Sequence, residues 1–189
     1  MYLYDEKAVD FADANNNSIR NFYGTRGIDN ILIDIDRETN TDEFTLRKCQ
    51  AIVYQINSEL DLQTNAFRVY FSGTGYHIII PNSVFNFPTC EELPFIVKNT
   101  MMNLFPEIDP MVYIRTGLYR VPHTINKKTG LYKVPLTYNE IMTCTWQQIH
   151  DIAKTARTEF PYTELQGDGE LEQYIVNEAK ITRPMGKVM

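Results

Sequence analysis

Residues 70–80 read YFSGTGYHIII: two extended runs flank a Ser-Gly-Thr-Gly turn, and a histidine stands at the mouth of the second run. Glycines give the backbone freedom that a tight reversal needs, and the aromatic and β-branched flanks favour strands. The stretch AFRVYFS-GTG-YHIIIP therefore predicts a β-hairpin over 66–81. The chain has only 3 histidines in 189 residues. One entering an aliphatic strand is most often a satisfied core residue. At the end of a glycine-rich turn it also stands where backbone N–H groups can approach a phosphate. The turn is not a Walker motif, because no Gly-Lys-Ser/Thr follows it.

The strand before the hairpin carries the first acids. In DNILIDID, residues 29–36, side chains alternate, so Ile31, Ile33 and Ile35 share one face and Asp34 and Asp36 the other. Two neighbouring carboxylates repel unless a cation neutralises them, and hard oxygen ligands suit Mg²⁺ or Mn²⁺. A strand edge facing water would tolerate the same pattern. A third acid, Asp109 in EIDPMVY, precedes Pro110 and is thereby biased to an extended backbone, with Glu107 as its competitor and an ordinary turn as the bland alternative. Phosphoryl-transfer sites use such sets of carboxylates to hold two divalent ions.

Composition sets the frame. The net charge of -6, from 18 basic and 24 acidic residues, argues against a general nucleic-acid-binding surface. The window 110–139 nevertheless contains no Asp or Glu and holds Arg115, Arg120, Lys127, Lys128 and Lys133. One basic segment in an acidic chain suits a local phosphate contact. Cys49, Cys90 and Cys144 are far apart and form no CxxC pair, so neither a disulfide framework nor a zinc site is indicated. No apolar run reaches the roughly 18 residues of a membrane span. These features predict a protein of a reducing compartment, cytoplasmic or in the host cytoplasm if viral, with no membrane association.

Helices are predicted over 4–14, over 41–60 with Thr41 as N-cap, from about Pro94 to 105, and over 145–157 with Thr145 as N-cap. In the second of these, Phe44, Ala51, Ile52, Ile56 and Leu60 fall near helical spacing. Short strands GLYRVP and LYKVPL are expected to flank the polar turn HTINKKTG, and a last helix is expected over 169–179. Hairpins mixed with separate helices give an α+β class. The whole chain, 1–189, reads as one domain, with an acidic C-terminal extension over about 159–189.

Three pieces in order, LIDID, SGTGYHI and IDPMVYIRTGLYRVPHTINKKTGLYKVPL, resemble the archaeo-eukaryotic primase superfamily of primase–polymerases, in its phage- and plasmid-type catalytic domains. The resemblance covers about 31–136. It implies a primase–polymerase fold: a mixed, RNA-recognition-like sheet flanked by helices, joined to a small αβ unit. Asp34, Asp36 and Asp109 match the catalytic, metal-binding acids. Ser72 and His77, with the glycines Gly73 and Gly75 of the turn, match the segment that contacts the incoming nucleotide's phosphates. Arg120 matches a basic residue that reaches the triphosphate, and Lys127 or Lys128 lies near a further family lysine. Where some relatives have another basic residue this chain has Gly117, so either Arg115 substitutes or the contact is absent.

The activity so implied is template-directed nucleotidyl transfer, making or extending primers on single-stranded DNA during replication. Its cofactors would be two Mg²⁺ or Mn²⁺ ions, its substrates NTPs or dNTPs, and its partner a helicase, fused or separate. Tyr113 or Tyr119 would offer stacking surfaces for the template. Two other readings stay open on the residues alone: a non-catalytic nucleic-acid-binding module of the same fold, and a metal-dependent nuclease.

Overall fold

The structure is a computed structural model describing residues 2–19, 22–113, 120–160, 165 and 167–175. Strand β1 (Tyr2–Tyr4), helix α1 (Lys7–Ala14) and strand β2 (Arg26–Ile28) open the chain, and β1 and β2 pair as a small antiparallel sheet. Then come β3 (Asn30–Ile35), α2 (Asp42–Tyr54), β4 (Arg68–Phe71), β5 (Tyr76–Pro81), α3 (Leu93–Leu104), β6 (Val134–Leu136), α4 (Tyr138–Thr143) and α5 (Trp146–Ile152). The main sheet has the order β3-β5-β4-β6. The α+β class holds. The expected mixed sheet does not: among the described strands every neighbouring pair is antiparallel, because the 72–75 hairpin sets β4 against β5, and β3 and β6 add to the outer sides in the same sense.

One face of this sheet makes the core. Ile31, Ile33 and Ile35 are fully buried, beside Ile78 and Ile80 of β5, Val69 and Phe71 of β4, and Val134 and Leu136 of β6. Helix α2 starts at Thr41, whose hydroxyl accepts the N–H of Phe44 at 3.2 Å, and it buries Leu46, Cys49, Ile52 and Val53. A wider π turn (Gln55–Glu59) continues it and keeps Ile56 buried. The buried stripe is thus rotated from the expected one: Phe44 is 53% exposed and Ala51 is exposed as well. Their spacing matches helical periodicity, but the face that meets the sheet is the one carrying Cys49 and Val53. In α3 Pro94 occupies the first turn, where its missing N–H is not needed. Capping boxes start α4 (Thr137 with Glu140) and α5 (Thr145 with Gln148), and α5 ends at Ile152, short of the expected 157.

Two further expectations change. Residues 120–122, read as part of a strand, are irregular, and 123–133 closes as a loop through His123 N to Lys133 O (2.8 Å) and Lys133 N to Thr124 O (2.9 Å). Of the helix expected over 169–179, the described part forms only a 3₁₀ turn (Glu172–Tyr174), and 176–179 lie outside the described residues. This acidic stretch is nonetheless anchored. Leu171 is 1% exposed, and its N–H donates to Val84 O at 2.9 Å.

Strands β3 and β6 are the outer strands of the main sheet among the described residues. In β3 the Leu32 carbonyl accepts the Tyr113 hydroxyl at 2.7 Å. In β6 Pro135 has no N–H, and its carbonyl accepts from Arg157 at 2.9 Å, while Arg157 also pairs with Glu140 at 2.9 Å. Among the described residues no helix is long and apolar enough to cross a membrane.

Candidate active site

The face of the sheet opposite the isoleucines carries a row of polar side chains. Asp34 of β3 lies opposite His77 of β5, which lies opposite Tyr70 of β4. Pairing and alternation alone put these three on one side. The Asp34 side chain is 19% exposed. Its Oδ1 is buried without a hydrogen-bond partner, a costly condition for a carboxylate oxygen. Burial first, then the charges of Asp36 and Asp109, push its carboxyl from 3.8 up to about 7, partly opposed by Lys133. Asp36, just past the strand, is raised as well, by burial and by Asp109.

Asp109 therefore stands within electrostatic reach of both strand acids, although it is more than 70 residues away in sequence. The 3₁₀ turn Pro110–Tyr113 holds it there. Asp109 Oδ1 accepts the Met111 N–H at 2.8 Å, and the Tyr113 hydroxyl ties the turn to β3. Glu107 is exposed and is not among the charges that raise Asp34 or Asp36. Among the described residues, no three His, Cys, Asp or Glu side chains stand close enough to hold a metal ion as placed. The buried Asp34 Oδ1, which has no hydrogen-bond partner, is a natural ligand for a hard cation. The donor chemistry suits such an ion, although the three groups do not converge as placed.

The 72–75 turn joins this acidic cluster to a basic one. Ser72 N–H donates to Gly75 O at 2.8 Å, and Gly75 N–H donates to the Ser72 hydroxyl at 3.1 Å. These two amides of the turn are therefore spent on closing it. Gly75 lies hard against β3: a Cβ there would meet Ile35 O at 2.2 Å. Gly73, at φ +94°, lies against the other side, where a Cβ would meet the Asn126 Cβ at 2.8 Å. The Arg120 guanidinium donates to the Ser72 carbonyl. Arg120, Lys127 and Lys128, with Thr74, Ile125 and Asn126, line an open cavity of about 450 Å³ that has no acid in its wall. Both candidate lysines thus share one cavity with Arg120.

His77 is 7% exposed, yet its surroundings are polar. Its Nδ1 lies 2.8 Å from Lys133 Nζ, and its Nε2 faces Asp34 Oδ1 at 3.4 Å, outside hydrogen-bond geometry. Burial, then Lys133 and Arg120, push its pKa from 6.5 down to about 3, so the ring is neutral and makes no ion pair with Asp34. Lys133 is fully buried. Its ammonium donates to Arg120 O at 2.7 Å and lies 5.0 Å from the centre of the Tyr70 ring. Burial pushes its pKa from 10.5 down to about 8, against the pull of Asp34.

Lys133 and Asn126 are the site residues that sequence reasoning missed. The signal for Lys133 was parity: in LYKVPL it alternates with Val134 and Leu136, so core burial of those two turns Lys133 toward the acids. Asn126, 4% exposed, accepts the Lys128 N–H at 3.0 Å and fills the space left by Gly73, and no short-range pattern announces such a contact. Tyr113 is no stacking surface: it is 3% exposed and a member of the core, with its hydroxyl bound to the Leu32 carbonyl of β3. Arg115, Gly117 and Tyr119 lie outside the described residues. A scan against protein-family models finds no match for this chain, and a search of curated proteins finds none either.

Proposed function

We propose that this chain is a template-directed nucleotidyltransferase of the primase–polymerase type, which makes or extends primers on single-stranded DNA. One observation carries the reading: a cluster of three acids and a cavity bearing three cations flank the same four-residue turn. A substrate that is a polyphosphate with its divalent ions needs both signs of charge side by side. A nuclease needs the acids alone, and a passive single-strand binder needs only the cations. The sequence β3-α2-β4-β5-α3, with β5 between β3 and β4, also suits the RNA-recognition-like sheet that the resemblance implies.

Asp34, Asp36 and Asp109 would hold Mg²⁺ or Mn²⁺, which when bound supplies charge stabilisation at the transferring phosphate and activates the attacking hydroxyl. The protein's own part is positioning and electrostatics. Arg120 is fixed to the 72–75 turn by the Ser72 carbonyl, so its remaining N–H groups present a bidentate donor set to phosphate oxygens. Lys127 and Lys128 add charge to the same cavity. The helicase partner and the template path belong to this proposal as well.

Primer synthesis on single-stranded DNA with labelled NTPs or dNTPs and Mn²⁺ tests it. Product is expected from the wild type, and a loss of roughly 100- to 1,000-fold from Asp34→Ala. Equal product from both would remove the catalytic assignment, and template degradation without synthesis would indicate a nuclease. A nucleotide at a hundredfold excess over Kd stabilises by about 2.7 kcal/mol, so Tm is expected to rise by about 5–10 °C with NTP and Mn²⁺. The double variant Lys127→Ala, Lys128→Ala is expected to lose most of that rise, and an undiminished rise would exclude the cavity as the polyphosphate site.

A further inference from the structure

His77 touches the acid cluster on one ring nitrogen and a buried lysine on the other, and the lysine has no role in the reading above. A lysine ammonium has three donor protons and no acceptor. At 2.8 Å from Nζ, His77 Nδ1 must therefore supply the lone pair. A ring whose Nδ1 is bare carries its single proton on Nε2, the nitrogen facing Asp34. The opposite tautomer fails at the lysine, where a proton on Nδ1 would point at the ammonium. Lys133 cannot swing aside to permit this, because the Arg120 carbonyl holds Nζ at 2.7 Å, the Tyr70 ring lies below it, and no part of the side chain reaches solvent.

We propose that Lys133 is a positioning residue that locks His77 in the Nε2–H tautomer, so that the ring offers a fixed donor to the Asp34 carboxylate. A donor of this kind orients a ligand oxygen without competing for the ion. The contact is long in the structure, at 3.4 Å. Removing such a supporting partner typically weakens metal affinity about 10- to 100-fold. The consequence for metal loading rests on the proposed function; the tautomer does not.

Long-range ¹⁵N–¹H correlation spectra of the metal-free full chain test the lock, with the His77 signals assigned by their loss in His77→Gln. In the wild type Nδ1 is expected unprotonated and hydrogen-bonded, with the proton on Nε2. A proton on Nδ1 overturns the proposal without any variant. In Lys133→Met the preference is expected to be lost, giving mixed or Nδ1–H signals, and Lys133→Arg is expected to restore it. A tautomer unchanged in Lys133→Met means that Lys133 does not set it. Should Lys133→Met fail to fold, Lys133→Gln, whose amide can both donate and accept, is expected to give a mixture, and an unmixed Nε2–H spectrum there counts equally against the lock. Mn²⁺ titration of the same proteins is expected to show about 10- to 100-fold weaker binding in Lys133→Met. Wild-type protein that binds no Mn²⁺ would refute the proposed function and leave the tautomer result standing.

Discussion

Asp34→Asn is expected to make the metal-free protein more stable and, in the same molecule, to abolish primer synthesis. Most native carboxylates have depressed pKa values, and Asp34 is the reverse: its folded value, about 7, lies above the ordinary 3.8. Below about pH 4 the group is protonated whether the chain is folded or not, and it makes no difference to stability. Between about pH 4 and 7 the folded state keeps a proton that the unfolded chain has released, so stability falls as pH rises through that window. Above it the full penalty is present. At about 1.4 kcal/mol for each tenfold change in acidity this amounts to at most about 4 kcal/mol, and solvent reaching a side chain that is 19% exposed reduces it. Asn removes the charge and keeps the shape. Urea unfolding in EDTA is expected to show a gain of about 2–3 kcal/mol for Asp34→Asn at pH 8 and little difference at pH 4. Added Mn²⁺ is expected to stabilise the wild type at pH 8 and to leave the variant nearly unchanged. A variant no more stable than wild type at pH 8 would mean that neither burial nor the neighbouring acids penalise the Asp34 charge.

Gly75→Ala is expected to cost about 3 kcal/mol or more, among the largest losses from adding one methyl group to this chain. The obstacle is steric, because the new Cβ would meet the Ile35 carbonyl at 2.2 Å and the Asp36 Cα at 3.2 Å. Both are backbone atoms at the end of β3, so no rotamer change relieves the overlap. The hairpin would have to move away from β3, separating His77 from Asp34. Gly130→Ala is the control. Its φ of +73° strains any side chain, but a Cβ there meets nothing within 4 Å, so a loss of only about 1–2 kcal/mol is expected. Chemical denaturation of both variants checks the order. A smaller loss at Gly75 than at Gly130 would show that the hairpin does not depend on that contact.

Elements whose evidence is local were legible in the sequence. The 72–75 hairpin, the alternation of 31–36 and the N-caps at Thr41 and Thr145 each depend on a few adjacent residues, and each is present. The paired strand acids, and the side of the sheet on which they and His77 lie, followed from parity alone. What was not legible depends on distant partners. Phe44 has the periodicity of a core residue and faces solvent, because the sheet beneath α2 decides which face is covered. Tyr113 was read for its aromatic ring, and its burial follows from docking on a strand 81 residues away. Lys133 looked like one more solvated cation in a basic run. Only the core packing of Val134 and Leu136 turns it inward.

The two outer strands of the main sheet end in side-chain plugs: a tyrosine hydroxyl on Leu32 and a guanidinium on Pro135. An open strand edge is a template on which a second chain can nucleate. Here each border has a carbonyl already claimed, and one of them also has a residue with no proton to give. Among the described residues, lateral recruitment is thus hindered at both borders of the sheet, and copies of this chain that came together would meet through other surfaces.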